Sequence, residues 1–124
     1  MKDIITQISF KGANAKCGMS TLEGKIVQDA DRLDALGAIG IARCFTYGGY
    51  KNRALYDSCT PPIKHNNFEE YKNSQSTTIN HFHEKLLLLK DMMNTETGRE
   101  LALHRHRVME GFLQEFYSEL EGLK

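Results

Sequence analysis

Apolar residues recur along this chain at the three- and four-residue spacing of an α-helix, and nowhere alternate at period two over strand length. Ile4, Ile5 and Ile8 share one face of the stretch Met1 to Ser9, which reads as the tail of a helix; Phe10 to Met19, with two glycines and an asparagine, reads as a loop. Ser20-Thr21-Leu22-Glu23 fits a capping box, with the Ser20 hydroxyl accepting from the Glu23 backbone N–H. A helix is predicted to start there and to run through Ile26, Val27, Ala30, Leu33 and Leu36. Helical spacing resumes through Ile39, Ile41, Ala42 and Phe45. Gly37 and Gly40 mark a bend or a close helix contact, and Gly48-Gly49 a stop.

Residues 51–75 are polar and carry Pro61-Pro62, which predicts a long surface loop. Ser76 or Thr77 then caps a helix with Ile79, Phe82, Leu86, Leu89 and Met93 on one face. The last helix is predicted from Thr95 to about Glu121, with Leu101, Val108, Phe112, Phe116 and Leu120 inward and Gly122 as its stop. The expectation is an all-α helical bundle, one domain over residues 1–124.

Composition narrows the function. The chain is 40% hydrophobic and 26% charged, as an ordinary globular protein is, and its 16 basic residues cancel its 16 acidic ones. That balance leaves no overall field for nucleic acid or anionic lipid. The longest apolar run, Leu86 to Leu89, is far too short to span a membrane. Cys17, Cys44 and Cys59 are an odd, widely spaced set without a CxxC pair, which favours reduced thiols over a disulfide framework or zinc knuckle. Together with the lack of a signal-peptide pattern at Met1 to Phe10, this predicts a cytoplasmic protein without nucleic-acid or membrane partners.

Asp29, Asp31 and Asp34 fall within six residues of a largely apolar helix, where a desolvated carboxylate needs a cation or several donors. Asp31 and Asp34 share a face and Asp29 points elsewhere; on a bare helix all three read as surface charges pairing with Arg32 and Lys25. Three motifs in order change that reading: DADRLDALGA (Asp29 to Ala38), NHF-EKLL (Asn80 to Leu87) and T-x-x-GR-x-LA-x-x-R (Thr95 to Arg105). Over about Ile4 to the end, the chain resembles the carboxy-terminal half of HD-superfamily metal-dependent phosphohydrolases, in particular a small bacterial branch acting on nucleotides.

The resemblance implies a partial HD-domain fold that lacks the amino-terminal helices. It implies a divalent ion (Mn, Ni, Co, Fe, Zn or Mg) held by a histidine, a His-Asp pair and a later aspartate, with Ala30-Asp31-Arg32-Leu33 matching the context of that last ligand, Asp31. Mixed imidazole and carboxylate ligands suit such metals, and the bound water becomes the nucleophile. Asp34 would orient a metal-bound water or a neighbouring ligand. Arg43, Lys85 and His81 match family positions that would bind substrate phosphates, the alternative being that the two cations pair with the acidic helix.

No histidine precedes Asp31; His65, His81, His83, His104 and His106 all follow it. The two HxH pairs lie in predicted helices, where residues two apart diverge by about 200° and do not chelate one ion. The expectation is therefore a truncated HD phosphohydrolase, inactive alone and without a tightly bound metal. Its ligand would be a nucleotide or other phosphorylated small molecule. The alternatives are a non-catalytic helical binding module or one half of a complemented split enzyme. Apolar faces left uncovered would drive homo-oligomerisation or pairing with a complementing fragment.

Overall fold

The computed structural model describes residues 21–62 and 76–124. The expected helix at Met1 to Ser9, the following loop, the Ser20 cap and positions 63–75 of the long loop lie outside them, as do Cys17 and His65. The described residues form α1 (Leu22–Leu33), α2 (Gly37–Tyr50), α3 (Thr78–Glu84), a 3₁₀ helix (Leu86–Met92) and α4 (Glu96–Leu120), with no strand among them. The fold class is all-α. No helix among these residues is long and apolar enough to cross a membrane.

Caps set most boundaries. The Thr21 hydroxyl closes α1 by accepting from the Gly24 N–H at 3.0 Å. Thr77 accepts from Asn80 N–H at 3.1 Å, and Thr95 from Gly98 N–H at 3.0 Å. Gly37 turns the chain between α1 and α2 at φ +71, where a Cβ would also stand 3.0 Å from the Arg105 side chain. Gly48 does not end α2, which runs on to Tyr50; instead a Cβ there would meet the Thr78 hydroxyl at 2.2 Å, so it marks close approach to α3.

The core forms where α4 packs against α1, α2 and the 3₁₀ helix. Ile79, Phe82, Leu86, Leu89 and Met93 are all buried, as their spacing predicts. They do not lie on one continuous helix, because Lys85 (φ −136, ψ −59) breaks α3 and the chain continues as a 3₁₀ helix. Phe82 stacks on Phe112 with ring centroids 5.8 Å apart, and Phe45 tilts against Phe82 at 5.7 Å.

Two predicted faces are corrected. On α4 the buried positions are Gly98, Ala102, His106, Met109 and Leu113; Leu101, Val108 and Leu120 are exposed, and Phe112 and Phe116 half-buried. Gly98 leaves room for the Asp29 carboxylate, which a Cβ there would meet at 2.4 Å, so the face turned to α1 carries small residues and the larger apolar side chains point outward. On α1 the buried side is polar (Gln28, Asp29, Arg32), while Leu22, Ile26 and Val27 are 65%, 53% and 44% exposed.

Satisfied hydrogen bonds explain the inversion on α1. Asp29 accepts from Asn94 N–H at 2.7 Å and Nδ2 at 3.0 Å, and from Thr95 N–H at 2.8 Å and Oγ1 at 2.6 Å. Gln28 Oε1 accepts from Asn94 Nδ2 at 2.8 Å. Arg32 Nη1 donates to the Met92 carbonyl, and Arg105 Nη1 to the Leu33 carbonyl at 2.8 Å, so each cation closes a helix end.

Candidate functional site

The turn at Gly37 sends α2 across the bundle with Gly40, Arg43, Cys44, Tyr47 and Tyr50 along one side. That side, with Arg53 just beyond the helix, faces His81, Lys85 and Leu86 across a groove of about 940 Å³. The dimension suits a small-molecule ligand. Among the described residues its charge is one-signed: two arginines and a lysine line it, and no carboxylate does.

The break at Lys85 positions the far wall. Its backbone N–H donates to the His81 carbonyl at 3.0 Å and ends α3, leaving both side chains on the groove. Burial pushes the Lys85 ammonium below its ordinary value; Asp31 and Cys44 pull it back up, while Arg32 and Arg43 push it further down. Arg43 is exposed, and its Nη1 donates to the Asp34 carbonyl at 3.2 Å. Burial holds the Cys44 thiol at about 11, against the opposite pull of Arg53 and Lys85, so it stays protonated and is no nucleophile at neutral pH.

Arg43, Lys85 and His81 thus share one groove. Asp31 and Asp34 do not line it. Both are exposed; Asp31 acts on Lys85 through its charge, and Asp34 reaches Arg43 through its backbone. Sequence reasoning missed Arg53, Tyr47 and Tyr50. The tyrosines had a signal, since 43, 47 and 50 follow helical i, i+4, i+7 spacing; Arg53 sits in what reads as a loop and had none.

The histidines have separate neighbours. His81 lines the groove, the His83 ring lies 3.0 Å through Nε2 from the Tyr117 hydroxyl, His104 is exposed, and buried His106 stands 3.5 Å from Glu110. Among the described residues no three His, Cys, Asp or Glu side chains group to hold a metal ion. Structural and catalytic transition-metal sites need three or four protein ligands, so this donor set does not fit one by itself.

No family model matches the chain. It is 44% identical to the Bacillus subtilis protein YpgQ over 122 residues, which is 97% of this chain and 51% of YpgQ. A solved structure from Lactobacillus plantarum superposes with a TM-score of 0.89 at 44% identity, covering 97% of this chain and 58% of the other. A Bacillus thuringiensis structure described as an HD-superfamily hydrolase gives 0.67 at 51% identity, over 82% of this chain and 47% of that one. YpgQ in complex with ADP gives 0.65 at 42% identity, over 80% and 44%. The chain therefore spans about half the length of these relatives. Its fold is that of an all-helical protein similar to part of an HD-superfamily hydrolase. Both YpgQ and the Lactobacillus plantarum protein match it over 97% of its length.

Proposed function

We propose that the chain is the phosphate-binding, carboxy-terminal portion of an HD-type phosphohydrolase, and that these 124 residues bind a nucleotide without hydrolysing it. One observation carries the reading: Arg43, Arg53, Lys85 and His81 converge on a single groove that no carboxylate lines among the described residues. Arginine offers a planar fork to phosphate oxygens and lysine a point charge, a combination that selects phosphorylated small molecules. The ADP complex of YpgQ supports a nucleotide as the ligand class.

In this reading Asp31 is one ligand of a divalent-ion site in longer relatives, and Asp34 orients a neighbouring ligand or water. The remaining ligands belong to another stretch of polypeptide, so hydrolysis needs that stretch and binding does not. The experiment is calorimetry of the 124-residue chain with ADP, paired with a nucleoside triphosphate hydrolysis assay in Mn²⁺. Binding that Lys85→Ala weakens, without turnover, is the expected result. Mn²⁺-dependent turnover abolished by Asp31→Ala would contradict it.

A second reading has its own observation. The exposed Leu22, Ile26 and Val27 on α1 form an apolar stripe of the kind that drives association. An interaction module, a homo-oligomer or one half of a complemented enzyme would cover it. Sedimentation of wild type against Ile26→Lys tests this: self-association that the lysine reverses favours the reading, and a monodisperse wild-type monomer counts against it.

A further inference from the structure

We infer that the outer end of the groove, Tyr47 and Tyr50 with Arg53, is a stacking platform for a nucleobase, so that nucleotides are preferred over other phosphate compounds. The inference rests on the groove binding phosphates as proposed above. Arg43, Tyr47 and Tyr50 occupy one side of α2, and seven residues at the α-helical rise separate Arg43 from Tyr50 by roughly 10 Å. An extended nucleoside diphosphate spans a distance of this order between base and terminal phosphate. Arg43 and Lys85 stand at one end, and the two rings, with Arg53 and Lys51 against them, at the other, so the phosphates and the base each meet matching chemistry.

The rings are available for this. The core already has its own aromatic contacts in Phe45, Phe82 and Phe112, and Tyr50 is 79% and Tyr47 48% exposed. Their centroids stand 6.4 Å apart with planes 36° off parallel. The Arg53 guanidinium lies 5.1 Å over the Tyr47 ring, and Lys51 Nζ is 5.8 Å from the centroid of each ring. These cations steady the rings and raise the local positive potential for a phosphorylated ligand. Thr46, the hydroxyl nearest the rings in sequence, already donates to the Ala42 carbonyl at 2.9 Å. Recognition here runs through the π-face, which every base has, rather than through base-edge hydrogen bonds. Adenine and guanine nucleotides are then bound alike.

The test is calorimetry of the 124-residue chain with ADP, GDP, ribose 5-phosphate and inorganic pyrophosphate. ADP and GDP are expected to bind alike, about tenfold tighter than the two ligands without a base. Tyr47→Leu and Tyr50→Leu keep apolar bulk but remove the ring; each is expected to weaken ADP by about tenfold and leave pyrophosphate unchanged, with thermal melts verifying the fold. Pyrophosphate bound as tightly as ADP, or tyrosine variants that bind ADP like wild type, would overturn the platform. If Arg43→Ala still weakened both ligands, the phosphate groove would stand without it. Absence of binding by all four ligands would overturn the groove and the platform together.

Discussion

The Thr95 hydroxyl donates to Asp29 Oδ2 at 2.6 Å and accepts from the Gly98 N–H at 3.0 Å, so one side chain joins the middle of α1 to the first turn of α4. Burial alone would raise the Asp29 carboxyl. The bonds from Thr95 and Asn94, side chain and backbone, together outweigh it and hold the group below its ordinary value. Asp29 is only 3% exposed, and it lies at the positive end of the α4 dipole.

Removing that carboxylate strands the Asn94 and Thr95 N–H groups. Asp29→Ala is expected to cost about 3 kcal/mol at neutral pH, read from urea unfolding. Because the folded value is depressed, the contribution is complete above the unfolded carboxyl value near ~3.9 and is lost as pH falls through the folded one. The gap between wild type and variant should therefore close only in strong acid. A gap that closes between neutrality and about pH 5 would count against this account.

Two glycines of α4 give opposite expectations. A Cβ at Gly98 would stand 2.4 Å from Asp29 Oδ2 and 2.9 Å from Thr95 Oγ1, whereas nothing lies within 4 Å of one at Gly111. Gly98→Ala should destabilise by about 2 kcal/mol through this crowding. Gly111→Ala should stabilise by about 0.5–1 kcal/mol through helix propensity. Thermal unfolding of the two variants checks both signs.

His83 predicts a milder pH effect. Burial lowers its folded value from the ordinary one, with Glu84 pulling the other way, and its ring stacks beside Tyr117. A histidine held neutral in this way favours the fold above its unfolded value near ~6.5, and that contribution fades as pH falls towards the folded value. His83→Phe keeps the ring and removes the titration. Its unfolding midpoint should change less than that of wild type between about pH 7.5 and 5.5. Parallel losses in both proteins would contradict the assignment.

How far the structure was legible depended on whether hydrophobicity was the deciding force. Ile79, Phe82, Leu86, Leu89 and Met93 are buried through oil-like packing, and their spacing identifies them. The break at Lys85 between them is a backbone event without a glycine or proline to announce it. On α1 the apolar stripe pointed the wrong way, because four donors on Asn94 and Thr95 make a buried Asp29 cheaper than its composition suggests. The capping and motif residues Thr95, Gly98 and Arg105 serve that same α1–α4 joint. In the groove, the motif match identified Arg43, His81 and Lys85, while Arg53 depends on where the chain turns after Tyr50.

The most direct check is to follow backbone amide resonances of the 124-residue chain while ADP is added. The account predicts shifts concentrated at residues 40–53 and 81–86, and their loss in Arg43→Ala. Saturating ADP that leaves those amides unmoved, or moves only the far end of α4 near Glu115 to Leu120, would contradict it.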